Sequence, residues 1–244
     1  MVRPMRNFFV ASLVSVVAAT VVLAAVYRHI ATSQLLELGE SNNVALAQIF
    51  SNSIWPQYRS FQEAAGRVDA DTLRAHPDIA KLRTTVLDVM RNTHVVKVKL
   101  YETDGYTLFS TDPAQIGKDY KDNPGFISAM KGEPVSELTH RDKFSAFDKE
   151  LENRDVLSSY VPLRPSAEAP VGGVLEIYTD VTDLLKRIDK EERRVILSAI
   201  AVLAILFIAL FFIARHIDAI VRRKYAVILA TAGRPGVDFI FPKD

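Results

Sequence analysis

KVKLYETDGYTLFSTD, residues Lys97 to Asp112, reads as two short strands around a tight turn. Val96, Val98 and Leu100 recur every second residue, which places one apolar set on one face of a strand over Val95 to Tyr101. Asp104 and Gly105 form the hairpin turn, and Thr107 to Ser110 returns as the second strand. Three further strands are expected downstream, at Val135 to Thr139, Val156 to Val161 and Gly173 to Asp180. Between the second and third, Asn123 is suited to cap a helix that starts at Pro124, carries Phe126, Ile127 and Met130 inward and stops at Gly132. Arg141 to Asp155 reads as a charged connection, and Pro162 to Pro170 as a proline-rich turn.

Upstream of the hairpin the period changes to that of helices. From Arg28, the apolar residues Leu35, Leu38, Leu46, Ile49, Phe50, Ile54, Trp55, Tyr58 and Phe61 recur largely at three- and four-residue steps, with Pro56 placed to kink the helix. A second helix is expected from Pro77 to Arg91, with Ile79, Leu82, Val86, Val89 and Met90 on one face. From Val181 the chain turns helical again. This order predicts an α+β domain: a long N-terminal helix and a five-stranded antiparallel sheet with helices on both faces.

Two apolar stretches without a charged side chain, Phe8 to Tyr27 and Val195 to Ala214, enclose that domain. A helix of such length, at about 1.5 Å per residue, crosses the ~30 Å hydrocarbon layer of a bilayer. The first has the basic flank of a signal peptide in Arg3 and Arg6, but its apolar run is longer than a signal peptide's. The second is apolar on every face, unlike a core helix. The expected division is a cytoplasmic N-terminus over 1–7, spans over 8–27 and 195–214, a periplasmic domain over 28–194 and a cytoplasmic tail over 215–244. Arg3 and Arg6 before the first span, against Arg28 alone after it, orient the chain with both termini in the cytoplasm and the middle outside, which is the periplasm where the membrane is the inner membrane of a Gram-negative bacterium.

The 244-residue chain has 30 basic and 29 acidic residues, distributed unevenly. Both terminal segments are basic, while residues 28–214 hold 22 basic against 26 acidic groups. That excludes the basic stripe of a nucleic-acid reader and places positive charge where anionic lipid headgroups lie. With no cysteine, disulfides and thiolate metal sites are excluded.

Three groups of residues resemble a Cache-type, PAS-like extracytoplasmic sensor domain. They are Lys97 to Asp112 with its continuation PAQIG to Gly117; NPGF at Asn123 to Phe126, ELTHRDKFSAF at Glu137 to Phe147 and LSSYV at Leu157 to Val161; and GVLEIYTDVT at Gly173 to Thr182. With the spans they cover residues 8 to 225, the arrangement of the N-terminal half of sensor histidine kinases and diguanylate cyclases. The resemblance implies a signal-transduction sensor that binds a small solute outside the membrane and passes a conformational signal through the second span. After that span the pattern departs from such receptors: Gly233, Pro235 and Gly236 interrupt the helix, and nothing resembling a kinase, cyclase or HAMP linker follows. Two readings follow: the chain is the sensory part of a truncated histidine kinase or diguanylate cyclase receptor, or it signals through a separate cytoplasmic output protein; a parallel homodimer through the stripe of Leu35, Leu38 and Leu46 is also expected.

Sensors of this type hold ligands between the sheet and its covering loops. Lys99, Tyr101, Ser110, Phe126, Arg141, Ser159 and Tyr178 come from those elements, and a cation among hydroxyls suits a carboxylate ligand. The competing reading makes Lys99 and Arg141 solvated charges and the aromatics core. Catalytic motifs are not legible. His140, Arg141 and Asp142 imitate a kinase catalytic loop, but Phe147 stands where that loop needs asparagine, and Asp238 and Phe239 are followed by Ile240. His29, His76, His94, His140 and His216 have no metal-ligand spacing. The chain is thus expected to be a non-enzymatic sensor without a cofactor. The alternative is a non-catalytic, membrane-anchored envelope assembly or scaffold protein.

Overall fold

The computed structural model describes residues 3–54, 56, 68–147, 149–164, 166 and 168–232. They divide into two compact units, residues 26–191 and a second unit containing the segments before and after them. In the larger unit, five strands form one antiparallel sheet: β1 (Val95–Tyr101), β2 (Thr107–Ser110), β3 (Val135–Ser145), β4 (Glu150–Leu163) and β5 (Gly173–Asp180). Their spatial order is β2-β1-β5-β4-β3. The β1–β2 turn forms as its sequence requires, with the Gly105 amide donating to the Glu102 carbonyl and Gly105 at a φ of 91°.

The helix expected from Arg28 is part of α1 (Arg3–Ile49), which ends in a π-helical turn over Phe50–Ile54. Trp55, Tyr58 and Phe61 lie outside the described residues. Two more helices follow, α2 (Ala70–Ala75), capped by Asp69, and α3 (Pro77–Val89), capped by His76 with Pro77 in its first turn. Ala47, Phe50, Leu73, Leu82 and Val86 from these helices bury one sheet face through Val98, Leu100, Leu175, Ile177 and Val161.

That packing revises the dimer stripe. Leu35 is 9% exposed and packs with Leu157 and Val181, while Leu46 rests on the main core; Leu38 alone of the three is open, at 66%. Apolar periodicity marks a helix face without telling whether it meets its own sheet or another copy, and here the sheet takes most of it.

The connection expected over Arg141 to Asp155 is instead paired strand. β3 and β4 run on from Thr139–Val156 through Arg141–Arg154 to Ser145–Glu150. This hairpin arm is charged and largely exposed, so it lacks the one-sided apolar alternation that reveals a half-buried strand. At the other end, Pro162 continues β4 opposite Val174; β3 has ended at Val135 opposite Tyr160, so no β3 pairing is lost there.

The second sheet face is covered by α4 (Pro124–Met130), the loop before it and the tip of the β3–β4 arm. Asn123 accepts the Phe126 amide at 3.0 Å, as a helix cap should. The final helix, α5 (Thr182–Ala232), begins at the end of β5. In the smaller unit, α1 and α5 contribute apolar segments long enough to cross a membrane, with Val14, Val21, Leu197 and Ile205 exposed.

Candidate functional site

Strand register lays one row of side chains across all five strands: Ser110 on β2, Lys99 on β1, Glu176 on β5, Tyr160 on β4 and Val135 on β3. A second row runs beside it on the same face, Lys97, Tyr178, Ser158 and Glu137. Residues directly opposite one another share a face, and residues two apart along a strand do so as well. The sheet therefore gathers two lysines, a glutamate and several hydroxyls on the side away from the main core.

Lys99 is the hub. Its Nζ donates to Tyr178 Oη at 2.8 Å and lies 3.1 Å from Glu176 Oε2. It also sits 4.7 Å from the Tyr120 ring centroid and 4.9 Å from that of Tyr178, within cation–π range. The Tyr101 hydroxyl donates to the same Glu176 oxygen. Lys99 is 3% exposed and Glu176 0%, so this is a desolvated ion pair that needs its accompanying hydrogen bonds. Glu176 Oε1 has no hydrogen-bond partner among the described residues.

Lys97, also 3% exposed, lies 4.3 Å from the Phe144 ring centroid and 3.7 Å from Asp112 Oδ2. Burial, with the neighbouring Lys99 charge, lowers its pKa to about 8. Burial first, and the Glu176 charge second, pushes the Tyr101, Tyr160 and Tyr178 hydroxyls above the ordinary phenol range and keeps them neutral.

The cover has two parts. Phe126 and Ala129 of α4 pack on Tyr101, Tyr160 and Val174, with Phe126 edge-on to Tyr101 at 5.9 Å. This contact depends on Gly125, because a Cβ there would stand 2.3 Å from the Tyr160 ring. Over the Lys97 end, the hairpin tip brings Phe144 to 5.3 Å from the Tyr178 ring. The tip is fastened by the Phe147 amide to the Val96 carbonyl at 3.1 Å and by Ser145 Oγ to Asp112 at 2.9 Å.

Lys99, Tyr101, Ser110, Phe126 and Tyr178 thus meet under this cover. Ser159 and Arg141 do not. Ser159 belongs to the opposite face, where it accepts from Asn43 Nδ2 at 2.8 Å and pairs with Ser136 Oγ at 2.7 Å. Arg141 is exposed on the hairpin arm opposite Arg154. The sequence reading had omitted Lys97 and Glu176. Each carried a legible signal: Lys97 stands two residues before Lys99, and Glu176 is a lone acid inside the apolar run GVLEIY, where a buried charge requires a partner. No group of three or more potential metal ligands occurs among the described residues.

No protein-family model matches the chain, and no curated protein does. Solved structures similar to it include sensor and ligand-binding domains. The periplasmic domain of RsbU from Chlamydia trachomatis is 15% identical with a TM-score of 0.46, covering 73% of this chain and 58% of its own. The sensor domain of the Vibrio cholerae histidine kinase DctB is 14% identical with a TM-score of 0.33, covering 64% and 58%. The ligand-binding domain of the Campylobacter jejuni chemoreceptor Tlp3, in complex with L-valine, is 12% identical with a TM-score of 0.37, covering 73% and 65%. The chain therefore spans 58% of the length of the first two. The larger unit is an α+β domain with a long N-terminal helix and a five-stranded antiparallel sheet.

Proposed function

We propose that this chain is a membrane-bound sensor whose PAS-like domain, over 28–194, lies in the bacterial periplasm and binds a small solute carrying a carboxylate. Both termini are cytoplasmic, and the signal leaves through the second span toward the cytoplasm. The observation that supports this most is the buried Lys99–Glu176 pair with its unpartnered Glu176 Oε1. Lys97, Lys99, Asp112 and Glu176 balance in formal charge, so a solute that brings a carboxylate for the lysines together with a cationic donor, such as an ammonium, for Glu176 Oε1 enters without leaving an uncompensated charge. Structural-scaffold groups would gain nothing from an orphaned carboxylate oxygen, which costs about 1–3 kcal/mol when buried.

The transmission route is short in sequence. Tyr178 of the ligand row is followed by Thr179, whose hydroxyl donates to Asn43 of α1 at 2.9 Å, and by Asp180, which accepts the first amide of α5, that of Thr182, at 3.0 Å. A solute shifts this arrangement only by its difference in affinity between two states, typically about 1–3 kcal/mol. Thermal melting of the full chain in lipid nanodiscs against a panel of carboxylate metabolites tests the reading. One solute is expected to raise the melting temperature in the wild type and to lose that effect in Glu176→Gln. A panel without effect favours the envelope scaffold.

A further inference from the structure

A cleft of about 770 Å³ opens between the C-terminal end of α3, the start of β1 and the hairpin arm. Its lining includes three cations, Arg91, Lys149 and Arg154, and two acids, Asp88 and Asp180. The acids are engaged. Asp88 pairs with Arg91, and Asp180 Oδ2 accepts from Arg154 Nη1 at 3.3 Å while Asp180 Oδ1 holds the Thr182 amide. Arg154 Nε is buried without a hydrogen-bond partner among the described residues. Val95, Phe147 and Leu151 supply an apolar part of the wall.

We propose that this cleft is a second binding site, for a small organic carboxylate with an apolar body, and that Arg154 holds the occupant through its Nε edge while its Nη1 stays on Asp180. An unpaired guanidinium Nε–H forms, with a terminal N–H, the planar fork that matches two carboxylate oxygens. Arg91 and Lys149 add positive potential at the same mouth, and the apolar wall accepts the rest of the molecule. Asp180 lies where β5 passes into α5, so an occupant held by Arg154 is linked through Asp180 to the start of α5. The proposal is independent of what the Lys99 row binds.

The test uses 4-fluorobenzoate as the probe, observed by fluorine NMR with the full chain in nanodiscs, and empty nanodiscs supply the partitioning baseline. Saturable binding to the wild type is expected. Arg154→Lys keeps the charge and removes Nε–H, and should weaken affinity about tenfold, the loss of one charge-assisted hydrogen bond. Lys149→Ala, at an exposed position that cannot upset the core, should weaken it severalfold, whereas Tyr101→Phe, which removes a hydrogen bond to Glu176 outside the cleft, should leave it unchanged. Absence of saturable binding, equal affinity in Arg154→Lys and Lys149→Ala, or a loss in Tyr101→Phe would overturn the proposal.

Discussion

Removing Lys99 strands a carboxylate that has no access to water. Lys99→Met is accordingly expected to destabilise the domain by about 3–5 kcal/mol, whereas Lys99→Met combined with Glu176→Leu should cost less than the single change, because the buried charge leaves with its partner. Denaturant unfolding of the three variants measures this. Lys97 makes a pH-dependent prediction. Its folded-state pKa is lowered to about 8 from 10.5, so the folded protein hosts the charged form less well than the unfolded chain does. The cost is present below pH 8 and is relieved as pH rises toward 10.5. Lys97→Met should therefore melt above the wild type at pH 7, and the difference should shrink by pH 10. At this scale the sequence was legible where alternation was unambiguous: Lys99 and Tyr101 stand two apart on one strand and share a face. It was illegible at Ser158 and Ser159, since two adjacent serines give alternation nothing to distinguish, and only the register assigns Ser159 to Asn43.

Among elements, α4 is the part of the cover whose seating depends on a missing side chain. Gly125→Ala places a methyl against the Tyr160 ring and should lift the helix from Tyr101 and Tyr160. The expected result is a lower melting temperature together with faster amide exchange at Phe126 to Met130, with exchange in α3 unchanged. Capped and turned elements were readable because Asn123-Pro124, His76-Pro77 and Asp104-Gly105 each carry local chemistry that fixes a boundary. The β3–β4 arm was not. Its residues from Arg141 to Asp155 are mostly polar on both faces, and their strand form is imposed by pairing between the two arms rather than by burial.

For the whole molecule, the packing of α1 leaves a different seam from the one its leucines suggested. Leu38, Asn42, Ala45 and Ile49 are exposed and spaced by four, three and four residues, the step of a coiled-coil seam, with Leu38 at 66% and Ile49 at 50%. If two copies align in parallel, single cysteines at Leu38 and Ile49 should crosslink in membranes, while cysteines at Leu35 and Leu46 should not. Equal crosslinking at all four positions would contradict the packing of Leu35 against Leu157. The chain contains no native cysteine, so these labels are unambiguous. That same property opens the most direct test of sensing. Spin labels on Thr103→Cys in the β1–β2 turn and Lys190→Cys on α5, both exposed, report the distance from sheet to output helix in the full chain in nanodiscs. Electron–electron resonance should show that distance distribution shifting when a carboxylate solute that stabilises the protein is added; an identical distribution with and without the bound solute would contradict a signal passed from the Lys99–Glu176 row to α5.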